Sequence, residues 1–158
     1  MSFRNVVLLI GAFITFVFAT LVSWYEGGQL RDNSWEWKHT AIFSNWVNDG
    51  FTNADNLLTI DHFVYAAKFE PLFPLLMASS FLVMVFQLAF WLFKGRRTAQ
   101  NSFLLLLAIA SFIMCAILFD SPTIGFKLFS LFFGGIGLGA ILSVFLIKGK
   151  RARAIKIT

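Results

Sequence analysis

Four long apolar segments divide this chain, and most of its polar residues lie between them. The segments cover residues 6–24, 71–93, 102–119 and 128–147, and none contains an internal Asp, Glu, Lys or Arg. A helix of about 20 apolar residues crosses the hydrocarbon layer of a bilayer, and a helix satisfies its own backbone hydrogen bonds in lipid. The pattern therefore predicts an all-α membrane protein, in which a four-transmembrane-helix bundle forms one integral membrane domain over residues 1–158.

The first connection, residues 26–70, is a 45-residue loop and is much longer than the other two. Apolar and polar side chains alternate over residues 34–43, which predicts a strand, and Gly27-Gly28 supplies turn residues for a short β-hairpin. Over residues 53–69 the spacing becomes helical. This predicts an amphipathic helix with an apolar face of Leu57, Ile60, Val64 and Ala67.

Basic and acidic residues are segregated along the chain. The first and third connections hold all eight acidic residues, whereas the N-terminal stub, the second connection and the C-terminal tail hold none. Those three acid-free parts carry Arg4, Lys94, Arg96, Arg97, Lys148, Lys150, Arg151, Arg153 and Lys156. Because Lys and Arg concentrate in cytoplasmic loops, we expect both termini in the cytoplasm and the 45-residue loop outside it. The uncharged stretch of residues 5–25 is long for a signal peptide, so the first helix is expected to be retained.

The charge, the cysteine count and the uncharged apolar segments limit the functions that the protein can have. The net charge of +5 arises from the basic side, where the tail is expected to contact anionic lipid headgroups. Membrane lipid is thus the expected partner, and nucleic acid is not. Cys115 is the single cysteine, which excludes thiol oxidoreductases that need paired cysteines. The absence of an ionisable residue within the apolar segments argues against coupled transport, and no cofactor is predicted.

The long loop is the predicted functional region, because its aromatic residues are too many to leave solvated. We expect a non-enzymatic cap that contacts a protein, lipid or envelope partner through Trp35, Trp37, Trp46 and Glu36, although packing onto the membrane interface would equally explain the tryptophans. An alternative is an extracytoplasmic metal-binding or enzymatic site. Its candidate ligands are Glu36, His39, Asp61 and His62, whose spacing matches no established metal motif.

Small residues recur at intervals of four in two of the apolar segments. They are Gly11, Thr15 and Ala19 in the first segment, and Gly135 and Gly139 in the fourth. This spacing favours close helix packing in lipid. Contact within one bundle is the simpler interpretation; a homo-oligomer, and in the extreme an oligomeric pore, is the alternative.

Short motifs around the long loop resemble a known family. They are Ser23-Trp24-Tyr25-Glu26-Gly27, Trp35-Glu36-Trp37, Tyr65-Ala66-Ala67-Lys68-Phe69 and Pro71-Leu72-Phe73-Pro74. In these the chain resembles the YjdJ-like small multi-pass membrane proteins of Bacillus-type bacteria, a domain of unknown function, over roughly residues 20 to 90. The resemblance implies a bacterial plasma-membrane protein and carries no activity with it.

Overall fold

The computed structural model describes residues 3–48 and 53–155, with side chains described as far as residue 147, and it is helical. Four long helices carry the apolar segments: α1 (Phe3–Gly27), α5 (Leu72–Leu92), α6 (Arg97–Phe119) and α7 (Ile124–Ile155). Between α1 and α5 lie the short helices α2 (Trp37–Thr40) and α3 (Ile42–Val47), and then α4 (Thr59–Phe69). Single 3-10 turns cover Gly28–Arg31, Ser34–Glu36 and Ala54–Asn56. The four predicted apolar helices are confirmed, and each is long and apolar enough to cross a membrane, α7 over Ile124–Ile147.

The predicted β-hairpin is wrong, because residues 34–40 and 42–47 are helical and the described part of the chain contains no strand. Glu36, Thr40 and Ser44 are buried, and their spacing of four places them on the inward side of successive helical turns. The backbone amides of Ala41 and Asn45 donate to the carbonyls four residues earlier, at 3.1 and 3.0 Å. The alternation misled the prediction because the polar side chains of Glu36, Thr40 and Ser44 are buried, whereas the aromatic side chain of Trp35 is exposed.

The predicted amphipathic helix is present but shorter, and it buries a different face. It begins at Thr59, while Asn53 instead accepts a hydrogen bond from the amide of Asp55 in the preceding turn. Ile60, predicted for the apolar face, is 47% exposed. The buried residues of α4 are Asp61, His62, Tyr65 and Ala66. Polar partners elsewhere in the loop satisfy Asp61 and Tyr65 on that face, whereas both ring nitrogens of His62 lack a hydrogen-bond partner.

The chain forms two compact units. The first comprises Met1–Val85 with Thr123–Phe126, and the second comprises Phe86–Pro122 with Lys127–Thr158. In the first unit, α4 lies directly against the end of α1, because an added Cβ on Gly27 would lie 2.0 Å from the His62 carbonyl oxygen. Gly125 allows an equally close approach to the carbonyls of Ala67 and Lys68 at the end of α4. Only glycine permits backbones to meet at these distances.

In the second unit, α6 and α7 pack through small residues. Leu104, Ala108, Ala140 and Val144 form its buried core. The backbone of α7 approaches the Phe112 ring at Gly137, where an added Cβ would lie 3.0 Å from ring carbons. Ser130 donates a hydrogen bond of 2.9 Å to the Cys115 carbonyl across the same interface, in keeping with polar contacts between membrane helices.

Candidate functional site

Residues 28–48 and 53–70, here called the cap, fold around three apolar side chains. Leu30, Ala41 and Tyr65 are buried together, and Trp37 and Leu57 pack against them. Trp37 also donates its indole N–H to the Leu30 carbonyl at 2.8 Å. So small a core makes the surrounding polar contacts important for holding the cap in one conformation.

One of these contacts is a buried triangle of Glu36, Thr40 and Lys68. The Lys68 ammonium donates to Glu36 at 2.7 Å and to Thr40 Oγ1 at 3.0 Å, while the Thr40 hydroxyl donates to the same Glu36 oxygen at 2.6 Å. Burial opposes ionisation of Glu36, but hydrogen bonds from Lys68 and Thr40 outweigh it and hold the pKa of Glu36 below its ordinary value. Glu36 therefore ties α2 to α4 as a carboxylate.

A second contact joins α3 to α4 through Asp61, which is fully buried. Its carboxylate accepts hydrogen bonds from the backbone amides of Phe43 and Ser44, at 3.0 and 2.8 Å, and from the Ser44 hydroxyl. Ser44 Oγ in turn accepts from the Leu58 amide at 2.8 Å. Asp61 thus satisfies amides at the start of α3, which otherwise lack helical partners.

The short helix α3 carries its apolar side chains outward. Because Ser44 faces inward, the exposed side presents Ile42, Phe43, Trp46 and Val47, at spacings that fall on one helical face. Trp46 is 81% exposed, and Trp35, on the 3-10 turn Ser34–Glu36, is 72% exposed. We call the four α3 residues the apolar face of the cap. An exposed cluster of this kind is typical of a surface that contacts a membrane or another protein.

The four residues predicted as partner contacts therefore have different environments. Trp35 and Trp46 are exposed, Trp37 is half-buried, and Glu36 is buried in the triangle. Of the alternative metal ligands, Asp61 is bound within the cap and His39 is exposed. Within residues 3–48 and 53–147 no three His, Cys, Asp or Glu side chains lie close enough together to hold a metal ion.

A pocket of about 390 Å³ opens where α1 meets the cap. Its lining residues are Trp24, Tyr25, Gly28, Gln29, Arg31, Asp32 and His62. Both ring nitrogens of His62 are buried without a hydrogen-bond partner. Burial, and then the nearby positive charge of Arg31, lower the pKa of His62, although Asp61 opposes this. From the sequence, His62 was a candidate metal ligand only. The pocket was not predicted, since His62 is distant along the chain from the other lining residues, which all fall within residues 24–32.

The five small residues predicted for helix packing also differ from one another. Ala19 is buried, whereas Gly11 and Thr15 are exposed on α1. On α7, an added Cβ at Gly135 or Gly139 would meet nothing within 4 Å, and the glycines that approach α6 are Gly134 and Gly137. The pair Gly134 and Gly137 and the pair Gly135 and Gly139 lie on different sides of α7, since residues three or four apart share a side of a helix and successive residues do not.

The fold is that of a helical protein with four helices long and apolar enough to cross a membrane, in which one long connection forms a compact cap. A family model described as Domain of unknown function (DUF4306) matches residues 6–93. The chain is 30% identical over 90 residues to the Uncharacterized protein YjdJ of Bacillus subtilis (strain 168), an alignment covering 56% of this chain and 83% of that protein. No solved structure matches it. The chain thus belongs to the DUF4306 family, which confirms the resemblance seen in its motifs.

The residues that the family model matches correspond to one continuous part of the fold. Residues 6–93 include almost all of α1, the whole cap and α5, while α6 and α7 follow it. The part of the chain that the family model matches is therefore the cap between two apolar helices.

Proposed function

We propose that the chain is a non-enzymatic protein of the bacterial plasma membrane, with both termini in the cytoplasm, whose cap binds a protein partner in the cell envelope. Its apolar face is the observation that carries this proposal. Ile42, Trp46 and Val47 remain exposed although the chain has buried polar groups beneath them. Large aromatic residues contribute much of the energy of protein interfaces when a partner covers them.

The internal contacts of the cap support a binding role over a flexible connection. Asp61 holds the start of α3, and Asn45 donates to the Trp37 carbonyl at 2.9 Å. Both contacts fix the side of α3 opposite the apolar face. A surface fixed in this way loses little conformational entropy on binding.

Native mass spectrometry of protein solubilised gently from cell membranes tests the proposal. We expect a stoichiometric protein partner with the native chain, lost in Trp46→Ser and in Ile42→Ser. The matched control is His39→Ala, which removes an exposed side chain of the cap outside the apolar face and should retain the partner. His39→Ala also tests the metal alternative, because loss of a bound metal in this variant would replace the binding proposal.

Insertion of the apolar face into the bilayer is the outcome that contradicts a protein partner. In liposomes of the purified chain, lipids brominated on their acyl chains quench a tryptophan that enters the hydrocarbon. The chain has five tryptophans, so the Trp46 signal is obtained as the difference between the native chain and Trp46→Phe. Strong quenching of that signal, with no partner recovered from cells, would assign the face to lipid.

We also propose a homo-oligomer as a second candidate interaction, through Gly135 and Gly139 on α7. The open space around both positions supports it, because small exposed residues allow close helix approach in lipid. Gly135→Leu should convert a crosslinked oligomer to monomer. Ala110→Leu, a matched change at an exposed position of α6, should leave the oligomer intact; a native monomer would refute the proposal.

A further inference from the structure

The pocket at the junction of α1 and the cap contains a buried side chain without partners. His62 is 8% exposed, and neither Nδ1 nor Nε2 has a hydrogen-bond partner. Its backbone is held against Gly27, so α4 cannot shift outward without losing that close contact. Leaving a buried polar group without a partner is energetically unfavourable. Both nitrogens are covered by protein atoms, so a ligand satisfies them only after the ring turns toward the pocket that it lines.

The protonation state of His62 specifies part of what that ligand offers. Since burial and Arg31 lower its pKa, the ring is neutral at pH 7. A neutral imidazole has one nitrogen that donates and one that accepts. The ligand therefore presents both an acceptor and a donor toward the ring, as a phosphate oxygen and a neighbouring ammonium or hydroxyl group would.

The other polar residues of the pocket carry both signs of charge. Arg31 and Asp32 are adjacent in the chain and both line the pocket. Arg31 uses Nη2 for a 3.2 Å contact with Asp55, which leaves further guanidinium N–H groups for a ligand. Guanidinium groups bind phosphate with good geometry, and a carboxylate beside aromatic faces suits an ammonium group. The combination matches a zwitterion and fits neither a simple anion nor a simple cation.

The position of the pocket indicates where such a zwitterion comes from. Trp24 and Tyr25 line it and stand at the end of the apolar part of α1. Aromatic residues at this place in a membrane helix lie at the level of lipid headgroups. The pocket volume of about 390 Å³ is within the range of small-molecule sites.

We infer that this pocket binds the headgroup of a zwitterionic phospholipid of the ethanolamine type, with Arg31 on the phosphate, Asp32 on the ammonium and His62 hydrogen-bonded between them. The inference does not depend on the apolar face of the cap, which is formed by other residues. A failed partner search at Trp46 would leave it standing, and a failed lipid assay would leave the protein-partner proposal standing.

The test is native mass spectrometry of the full chain released from nanodiscs that contain equal amounts of phosphatidylethanolamine and phosphatidylglycerol. We expect one phosphatidylethanolamine retained, at least tenfold more often than phosphatidylglycerol. Arg31→Gln should lose it. Since the contact between Arg31 and Asp55 is exposed, this variant is expected to fold normally. The matched control, Lys38→Gln, removes an exposed cation of the cap outside the pocket and should retain the lipid.

Variants of Asp32 and His62 distinguish lipid bound specifically in the pocket from lipid that only surrounds the helices. Asp32→Asn should keep phosphate binding and lose the preference for ethanolamine over glycerol headgroups. His62→Phe should lower retention while its far-ultraviolet circular dichroism stays native, and His62→Gln, which keeps one donor and one acceptor, should restore part of the retention. Retention that ignores headgroup type, or that survives Arg31→Gln, would overturn the inference.

A free small molecule with the same chemistry is distinguished by adding soluble glycerophosphoethanolamine to protein in detergent. Competition with the bound lipid is expected only at millimolar concentration, since the acyl chains are missing. Binding of the soluble compound with no retention of the lipid would refute the assignment to a membrane lipid.

Discussion

Removing Lys68 should destabilise the cap more than any ordinary surface substitution. In Lys68→Met the Glu36 carboxylate loses a partner at 2.7 Å, although both side chains are nearly buried, at 12% and 8% exposure. At an effective dielectric constant of about 20, attraction over that distance is about 6 kcal/mol. Desolvation offsets most of it in the native pair, but removing one partner of a buried pair costs about 3–5 kcal/mol. We expect a loss of this size in the free energy of unfolding.

The assay is reversible unfolding of the purified chain in mixed micelles of a mild detergent and dodecyl sulfate, followed by tryptophan fluorescence. Trp37 lies in the cap core and reports on its opening. Glu36→Gln combined with Lys68→Met should recover at least half of the lost free energy, because a neutral amide still accepts the Thr40 hydrogen bond and leaves no buried charge. Hydrogen exchange should rise in α2 and α4 of the single variant and return toward native in the double variant.

The dependence on pH provides an independent check. A carboxylate whose pKa is lowered stabilises the fold above its ordinary range, and this stability is lost as the pH falls through the lowered value. The native chain should therefore lose the contribution of Glu36 only below pH 4.5, the unperturbed value. In Lys68→Met the deficit should already shrink at higher pH, as the unpaired Glu36 takes up a proton. A deficit below about 1 kcal/mol, typical of exposed pairs, or a double variant as unstable as the single one, would refute the reasoning.

Three other predictions follow from close contacts and from the buried histidine. Gly27→Ala should lower the free energy of unfolding by roughly 1–3 kcal/mol or more, as overpacking does, because its Cβ would overlap the His62 backbone. At Gly28 an added Cβ meets open space, so Gly28→Ala should be tolerated in the same unfolding assay. Thermal unfolding should show that the protein becomes less stable as the pH is lowered from 7.5 to 5.0, since His62 takes up a proton near pH 6.5 in the unfolded state but resists it in the folded state. His62→Gln should weaken this dependence of stability on pH, and an unchanged dependence would refute its assignment to His62. Gly137→Leu should destabilise the pair of helices α6 and α7 in the monomer, because its side chain would enter a phenylalanine ring, and Gly135→Leu should not; equal effects would refute the observed α7 orientation.

A further prediction concerns orientation in the membrane. In a Cys115→Ser background, cysteine introduced by Asn48→Cys should react with a membrane-impermeant maleimide on intact cells, and cysteine introduced by Gly95→Cys should react only after the membrane is permeabilised. The reason is the concentration of basic residues around Gly95 and of acidic residues in the cap. The reverse pattern would place the cap in the cytoplasm.

The sequence by itself determined the four apolar helices and the family of this protein. Both depend on local information: a run of about 20 uncharged residues specifies a spanning helix whatever surrounds it, and short motifs such as Trp35-Glu36-Trp37 are read directly. The segregation of charged residues is likewise visible without a structure. The observed bounds of these four helices differ from the predicted ones by at most five residues, except that α7 continues from residue 147 to Ile155, since a helix can extend beyond the apolar part that predicts it.

Only the tertiary structure decided how the cap folds and which of its residues are available for binding. The alternation over residues 34–43 favoured a strand, but Lys68 lies 32 positions beyond Glu36 and its ammonium group makes a buried Glu36 stable within a helical turn. Asp61 similarly stabilises α3 from 17 positions away. The pocket at His62 and the choice of Gly137 over Gly135 at the α7 contact depend on the rotation of each helix. Such rotations follow from contacts distant in sequence, and local periodicity does not encode them.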